Sequence, residues 1–286
     1  MKSNFNDDNF DPKVIADFGH EWKKYGYLEN QSDDSLNQQF ALYCNTLDLH
    51  QFSNHDSVVA DFGAGSGRWT SRLLPYFSKV YAVEPSDGAY EVLYEKFKNN
   101  PRVEILKETV GSCSLSKGSL DLAVSLGVLH HIPDTAKAIQ DIAETVKPSG
   151  YFLCYLYYKL EDKPLFYRML FHSSDIARKL ISKLPSNVKK VLCDFLALII
   201  YLPLARISKV IRFLGADNSN FPLHHYADLP FFMLRNDALD RFGTSLEQRF
   251  SKIDIEVMLE NAGFDLNTLK FSEIEPFWTF SVMKSA

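Results

Sequence analysis

Val58-Val59-Ala60-Asp61-Phe62 runs directly into Gly63-Ala64-Gly65-Ser66-Gly67, a sequence suited to a buried strand that ends in a tight turn. The largely apolar run reads as a strand covered on both faces. The glycines let the backbone turn and let another group approach it without meeting a Cβ. A helix is expected from about Ser66 to Phe77. A second strand, Lys79-Val80-Tyr81-Ala82-Val83, then ends on Glu84. That residue is an acceptor-only carboxylate, suited to the two hydroxyls of a ribose. Strand, glycine turn and acidic strand tip together outline a mononucleoside pocket. The spacing is G-x-G-x-G, because Arg68 stands where the dinucleotide fingerprint has its third glycine. Two readings stay open: close approach of a ligand, or a strand-to-helix turn whose glycines only permit tight packing.

The pattern around this turn divides the chain into three parts. Residues 1–50 read as helices and loops. Residues 51–158 alternate strand and helix, the mark of a parallel sheet with helices on both faces. Strands are expected near Val58–Asp61, Val80–Glu84, Val103–Lys107, Leu120–Leu126 and Tyr151–Tyr157, with helices starting near Ser66, Ser86 and Asp134. Residues 159–250 break the alternation and read as a mainly helical insertion. The core then resumes over 251–286. A helix there is capped by Ser251 and ends at Gly263, followed by strands over Asp265–Phe271 and Pro276–Met283. With 286 residues and 46% hydrophobic content, a sizeable core can form. The net charge of −5 argues against a general nucleic-acid binder. Cys44, Cys113, Cys154 and Cys193 form no C-x-x-C pair, which fits reduced thiols and a cytoplasmic location. The polar start, Met1 to Asp8, does not read as a signal peptide.

Four segments resemble the ordered motifs of class I S-adenosylmethionine-dependent methyltransferases. They are Val59 to Gly67, Val83-Glu84-Pro85-Ser86, Ser125 to Asp134 (Ser-Leu-Gly-Val-Leu-His-His-Ile-Pro-Asp) and Val146-Lys147-Pro148-Ser149-Gly150-Tyr151. The resemblance covers about residues 55–158, with Phe264 onward similar to the family's last two strands. It implies a Rossmann-like, seven-stranded, mostly parallel sheet with helices on both faces, plus a helical insertion and an N-terminal lid. It also implies S-adenosylmethionine as cofactor and S-adenosylhomocysteine as product. By the same resemblance Gly63, Ala64, Gly65 and Gly67 face the methionine part and Glu84 holds the ribose, with Asp61 and Pro85 as further cofactor-binding positions. Glu108 and Thr109 fall at the adenine edge, where the family more often has Asp. Leu126 and Gly127 line the cofactor after strand four. A solvated loop charge is the alternative for Glu108.

Methyl transfer needs a nucleophile, methyl and sulfur held in line, and orientation supplies most of the advantage. A general base is needed only for a hydroxyl or protonated amine acceptor. His130 and His131 follow the strand that borders the transfer site, and either is a candidate base or a loop-orienting residue. The segment Phe18 to Tyr27 is aromatic. Trp22, Tyr25 or Tyr27 could offer a ring face to the sulfonium. Tyr25 or His20 could polarise the acceptor, and simple packing onto the core is the alternative.

The insertion is expected to select the acceptor. Ile176 to Leu214 carries eight Lys and Arg residues against Asp194 alone. Between its basic clusters lies the apolar run Phe195–Ala205, shorter than the roughly 20 residues needed to span a bilayer. It reads as a helix buried under the lid or in a homodimer, or as one lying on an anionic membrane surface. His224, His225, Tyr226, Arg235 and Arg241 are candidate acceptor contacts, with Asp240 and Arg241 alternatively pairing to hold a loop. His224, His225 and Asp228 lack a fourth ligand at metal-site spacing, so no metal is expected. The reading is methyl transfer to an oxygen or nitrogen of a small polar or lipid-linked molecule: a saccharide, amino acid or specialised metabolite. A protein or RNA methyltransferase and a non-catalytic S-adenosylmethionine-binding partner are the alternatives.

Overall fold

The computed structural model describes residues 9–25, 33–53, 56–161, 164–218, 221–229, 231–273 and 277–286. These form two compact units, one of residues 1–159 and 248–286 and the other of residues 160–247.

In the first unit seven strands form one sheet. They are β1 Val58–Phe62, β2 Lys79–Val83, β3 Val103–Leu106, β4 Leu120–Leu126, β5 Val146–Tyr157, β6 Phe264–Phe271 and β7 Phe277–Lys284. Their order is β3-β2-β1-β4-β5-β7-β6. β1 to β5 pair in parallel, whereas β7 runs antiparallel to both β5 and β6. This is the Rossmann-like, seven-stranded sheet that the resemblance implies. Side chains alternate along the strands, so each face needs its own cover. Ala60, Phe62, Phe152, Cys154 and Leu156 join one core cluster with α5 (Thr135–Thr145) and the helix Lys252–Asn261. Val59, Leu122, Val124 and Leu153 join a second cluster, with Phe40 of α2 (Asp33–Tyr43) and Trp69 and Leu73 of α3 (Arg68–Leu73).

Caps fix the helices on this sheet. Asp134 accepts the Lys137 N–H at the start of α5. Ser251 and Asp254 form a reciprocal capping box on Lys252–Asn261, and Gly263 takes φ +77° just past its end. Helix α3 is shorter than the expected Ser66–Phe77. Leu74 keeps helical backbone angles, but Pro75 has no N–H to continue the ladder onto Ser71, and the Tyr76 N–H closes a turn on Leu73 instead. β5 starts earlier than expected, because Val146 pairs with Leu120 ahead of a register shift that absorbs Lys147 to Gly150.

Helix α1 (Pro12–Tyr25) crosses α4 (Asp87–Phe97) where Gly19 meets Gly88. A Cβ on Gly88 would stand 2.0 Å from the Gly19 carbonyl oxygen, so this crossing has no room for a side chain.

The second unit consists of α6 (Leu165–Ile181), α7 (Ser186–Leu196), a π-helical turn (Ala197–Tyr201), α8 (Leu202–Phe213) and α9 (Phe231–Gly243). Its core joins Ile181, Cys193, Ala197, Tyr201, Leu234 and Phe242. Among the described residues, two of its basic side chains are buried. Arg178 donates to the carbonyls of Thr244 and Ser245, and the Lys189 ammonium donates to that of Gly243. Both place positive charge at the carboxyl end of α9, where the helix dipole favours it.

Candidate functional site

The glycine turn is held by bonds made within the protein. The Gly63 and Ala64 N–H groups donate to the Val83 carbonyl at 2.8 and 3.1 Å. The Gly67 N–H donates to Ala64, and the Gly65 N–H to the Glu84 carboxylate at 3.0 Å. These four donors are therefore committed, and the turn does not form a nest of free N–H groups for an anion. Two of its glycines are required by space and by backbone angle. At Gly63 (φ +77°) a Cβ would stand 2.4 Å from a Val128 methyl. At Gly67 (φ +74°) it would stand 2.4 Å from the Phe97 ring. Gly67 thus answers to packing, whereas Gly63 lies on the wall of a cleft.

That cleft opens beyond the carboxyl ends of β1, β2 and β4 and encloses about 1010 Å³, open solvent at its mouth included. Strand order reverses between β1 and β4, the place where open α/β sheets bind ligands. Gly63 and Ala64 form one wall, Glu84, Pro85 and Ser86 a second, Glu108 and Thr109 a third, and Leu126 and Gly127 a fourth. Asn9, Asp11, Val14 and Phe18 line it from the N-terminal side. Asn9 is clipped there by a two-way bond: its amide donates to the Asp134 carbonyl at 2.8 Å, and the Asp134 N–H donates back at 2.9 Å.

The charges in and beside the cleft are mainly negative. Glu84 is buried and accepts the Ser86 N–H at 2.9 Å and the Ser86 hydroxyl at 2.5 Å, besides Gly65. Burial raises its pKa, and the Ser86 and Gly65 donors pull it back. Asp61, at the end of β1, accepts the Thr70 hydroxyl at 2.6 Å. Burial pushes it up to about 6 against the Thr70 bond, with a smaller push from the charge of Glu84. Glu108 accepts the Ser114 N–H at 2.7 Å and the Ser114 hydroxyl at 3.0 Å, and the Thr109 hydroxyl bonds that of Ser112. Asp11 and Arg68 are the remaining charged residues on the wall, with Arg68 lying over the Trp69 ring at 4.5 Å.

The two candidate bases have different surroundings. His131 lines the cleft, its ring centroid 5.0 Å from that of Phe18. His130 is fully buried and stacks on Tyr157 at 3.9 Å. Neither His130 ring nitrogen has a hydrogen-bond partner among the described residues. Burial, then the neighbouring His131 and Arg249, lower its pKa well below the usual histidine value, so it is a weak base. The side chains of His20, Trp22 and Tyr25, and all of Tyr27, lie outside the described residues. Among residues not singled out from the sequence, Asn9, Asp11 and Val14 come to the wall through α1 and the residues before it, joined by Phe18 at the start of the aromatic segment. Arg68 and Trp69 follow the last glycine directly, and that adjacency was the available signal.

The other sequence candidates belong to the second unit. Arg235 makes a two-pronged pair with Asp194, both distances 2.8 Å. Arg241 pairs with both oxygens of Glu247 at 3.0 Å, receives support from Ser174, and lies over the Phe171 ring. His224 bonds the Phe221 carbonyl through Nδ1, and His225 packs on Tyr226 with ring centroids 4.0 Å apart. No group of three or more His, Cys, Asp or Glu side chains arranged to hold a metal occurs among the described residues.

Comparison with known proteins places this geometry. Residues 60–154 match a family model described as a methyltransferase domain. An uncharacterised methyltransferase of Bacillus subtilis (strain 168) is 28% identical over 109 residues, which is 37% of this chain and 43% of that protein. The chain thus spans less than half the length of this curated relative. Among solved structures, an S-adenosylmethionine-dependent methyltransferase of Leishmania major superposes with a TM-score of 0.55 at 13% identity, covering 98% of this chain and 87% of that one. Human N-acetylserotonin methyltransferase, solved in complex with S-adenosylmethionine, superposes with a TM-score of 0.50 at 14% identity, covering 87% and 52%. These two likenesses establish the fold.

Proposed function

From the class I S-adenosylmethionine-dependent methyltransferase domain that contains residues 60–154, we propose that this chain moves a methyl group from S-adenosylmethionine to an oxygen or nitrogen of a small polar or lipid-linked molecule. One observation carries the reading. The cleft at the strand-order reversal combines a glycine wall whose N–H donors are already bonded with the buried carboxylate of Glu84 and the acidic side chains Asp11 and Glu108. A phosphate ligand asks for free N–H groups and positive charge. This cleft offers the reverse, which suits a diol and a cationic centre.

When bound, the cofactor supplies an electrophilic methyl group. The chain supplies position and solvent exclusion. Glu84 would accept hydrogen bonds from the ribose, and Leu126 and Gly127 would flank the ring system. Phe18, Val14 and Trp69 would keep water from the reacting side. His131, on the cleft wall, would take a proton from a hydroxyl or ammonium acceptor. For the acceptor we favour a saccharide, amino acid or specialised metabolite, handled at the cytoplasmic side, with His224, His225 and Tyr226 as further candidate contacts.

The test uses methyl-labelled S-adenosylmethionine with extract from the source cells, separated into lipid, soluble and macromolecular fractions. Label is expected in the lipid or soluble small-molecule fraction. Label confined to macromolecules would replace the proposal with a protein or RNA substrate. Absence of S-adenosylmethionine binding by calorimetry would remove it altogether.

The Gly19–Gly88 crossing gives a second expectation. Gly88→Val should push α1 away from α4 and disturb the Asn9–Phe18 wall, destabilising the unit by about 1–3 kcal/mol. Thermal unfolding and cofactor calorimetry check this together. Unchanged values in both would mean that α1 can shift without cost.

A further inference from the structure

We propose that the helical unit of residues 160–247 is a docking surface for an anionic lipid bilayer, lying on the membrane through the outward faces of α6 and of α7–α8. The reading does not depend on methyl transfer. It rests on apolar side chains that the unit leaves outside its core and on the sign of its charge.

Asn187–Phe213 forms 27 consecutive residues of helix with a mean hydropathy of 1.9 over its most apolar window, yet only 28% of that window is buried. Its inward residues, Cys193, Ala197, Tyr201 and Ala205, follow a four-residue spacing and are all buried. The opposite stripe, Val188, Val191, Phe195, Ile199, Pro203, Ile207, Val210 and Phe213, follows a spacing of three and four and is exposed, reaching 71% at Val191 and 87% at Phe213. Helix α6 repeats the arrangement. Leu165, Met169, Ile176 and Leu180 are exposed, while Arg178 and Ile181 turn inward. Single exposed leucines are ordinary, but two helices that each leave several large apolar side chains on the outer face mark a surface that meets something apolar.

Charge selects the occupant. Residues 160–247 hold 12 of the 31 Lys and Arg residues but only 9 of the 36 Asp and Glu residues. This unit is therefore net positive, and the remainder of an acidic chain is strongly negative. Exposed cations accompany the stripes: Arg168 and Lys179 on α6, Lys183 just after it, and Lys209 and Arg212 on α8. Lys179 is paired with Asp175, and Lys209 and Arg212 are paired with Asp228, at exposed sites. Arg168 and Lys183 have no ion-pair partner among the described residues. An apolar face bordered by cations complements acyl chains beneath anionic headgroups. A second copy of the chain would instead bring two positive units together.

The helix is long and apolar enough to be weighed as a span. However, Asp194 and Arg206 enclose only the 11 apolar or aromatic residues Phe195 to Ala205, short of the roughly 20 that a crossing requires. Its inner face is also occupied by the unit's own core. Lying along the interface satisfies both facts.

Flotation of the full chain with vesicles tests the proposal. At low salt, recovery with mixed phosphatidylcholine–phosphatidylglycerol vesicles is expected to exceed that with phosphatidylcholine alone by at least about ten-fold. It should fall at about 1 M salt, where charges are screened within ~3 Å. The double variant Val191→Glu with Phe213→Glu changes only exposed positions, so it should keep the thermal unfolding midpoint and lose most flotation. Arg168→Glu with Lys183→Glu should lose the preference for anionic vesicles. No flotation at low salt would overturn the proposal, as would flotation unaffected by the first variant. A stable dimer by light scattering that the first variant dissolves would also overturn it, assigning the stripes to a second copy. None of these readouts requires cofactor binding or turnover, so they stand apart from the test of methyl transfer.

Discussion

Asp61→Asn is expected to gain stability over the natural chain as pH rises, by roughly 3 kcal/mol between about pH 4 and pH 7. Asp61 is almost completely buried and sits at the end of β1 with the Thr70 hydroxyl as a hydrogen-bond donor at 2.6 Å. Burial pushes its pKa from 3.8 to about 6, and the carboxylate of Glu84 adds to the rise. An acid with a raised pKa binds its proton more tightly in the folded chain than in the unfolded one. The Asp61 contribution to stability therefore falls as pH climbs from about 3.8 to about 6, and its full cost is present above that range. Asn cannot titrate, so the variant is free of this loss. Any fixed cost of seating the amide appears equally at every pH, which makes the change in the difference the quantity to measure. Urea unfolding of both proteins across this range would show it. A constant difference would mean that Asp61 stays ionised throughout, held by a cation or solvent that reaches the end of β1. Above pH 6 the ionised group would also contribute negative potential behind the glycine turn, on the side where a cationic methionine moiety would sit.

The same region explains why much of the fold could be read from the sequence. β1, its turn and β2 are local: apolar runs of five residues, left-handed glycines and a terminal carboxylate all lie within 27 positions, Val58 to Glu84. Ser251 and Gly263 mark the ends of their helix by side-chain and backbone chemistry confined to a few residues. What escaped the sequence depends on distant partners. Lys147 to Gly150 resembles a plain turn, yet β5 begins before it because Leu120 offers Val146 a pairing partner. Asn9 is an unremarkable polar residue until Asp134, 125 positions away, clips it beside the cleft. The N-terminal aromatic segment drew attention to Trp22 and Tyr25, whereas the described lining from this region comes from Asn9 to Phe18. The basic run 176–214 shows the limit most clearly. A count of charges treats Arg178 and Lys189 as surface cations, but both are buried and spent on the carbonyls that close α9. Arg235 and Arg241 likewise sit in ion pairs whose partners, Asp194 and Glu247, cannot be matched to them by spacing.

Glu84→Ala is expected to weaken S-adenosylmethionine binding by about 1–3 kcal/mol, or five- to 150-fold, the cost of losing charge-assisted hydrogen bonds to a diol. The side chain does two jobs that the variant separates poorly. It lines the cleft, and it also accepts the Gly65 and Ser86 N–H groups that hold both walls. Removing it leaves those buried donors without their acceptor, so a stability loss of about 1–3 kcal/mol should accompany the binding loss. Glu84→Gln divides the two effects. An amide keeps one oxygen for Ser86 or Gly65 while its nitrogen can only donate, so it retains part of the wall support and loses the charge. Calorimetry with both S-adenosylmethionine and S-adenosylhomocysteine then separates the sources of affinity. The two ligands share the ribose but differ in the charge at sulfur. Equal losses for both would trace the effect to the ribose hydroxyls. A larger loss for the cationic ligand would show that Glu84 acts mainly through the negative potential of the cleft. Unchanged affinity for both would remove Glu84 from the binding site and move the ribose to another wall.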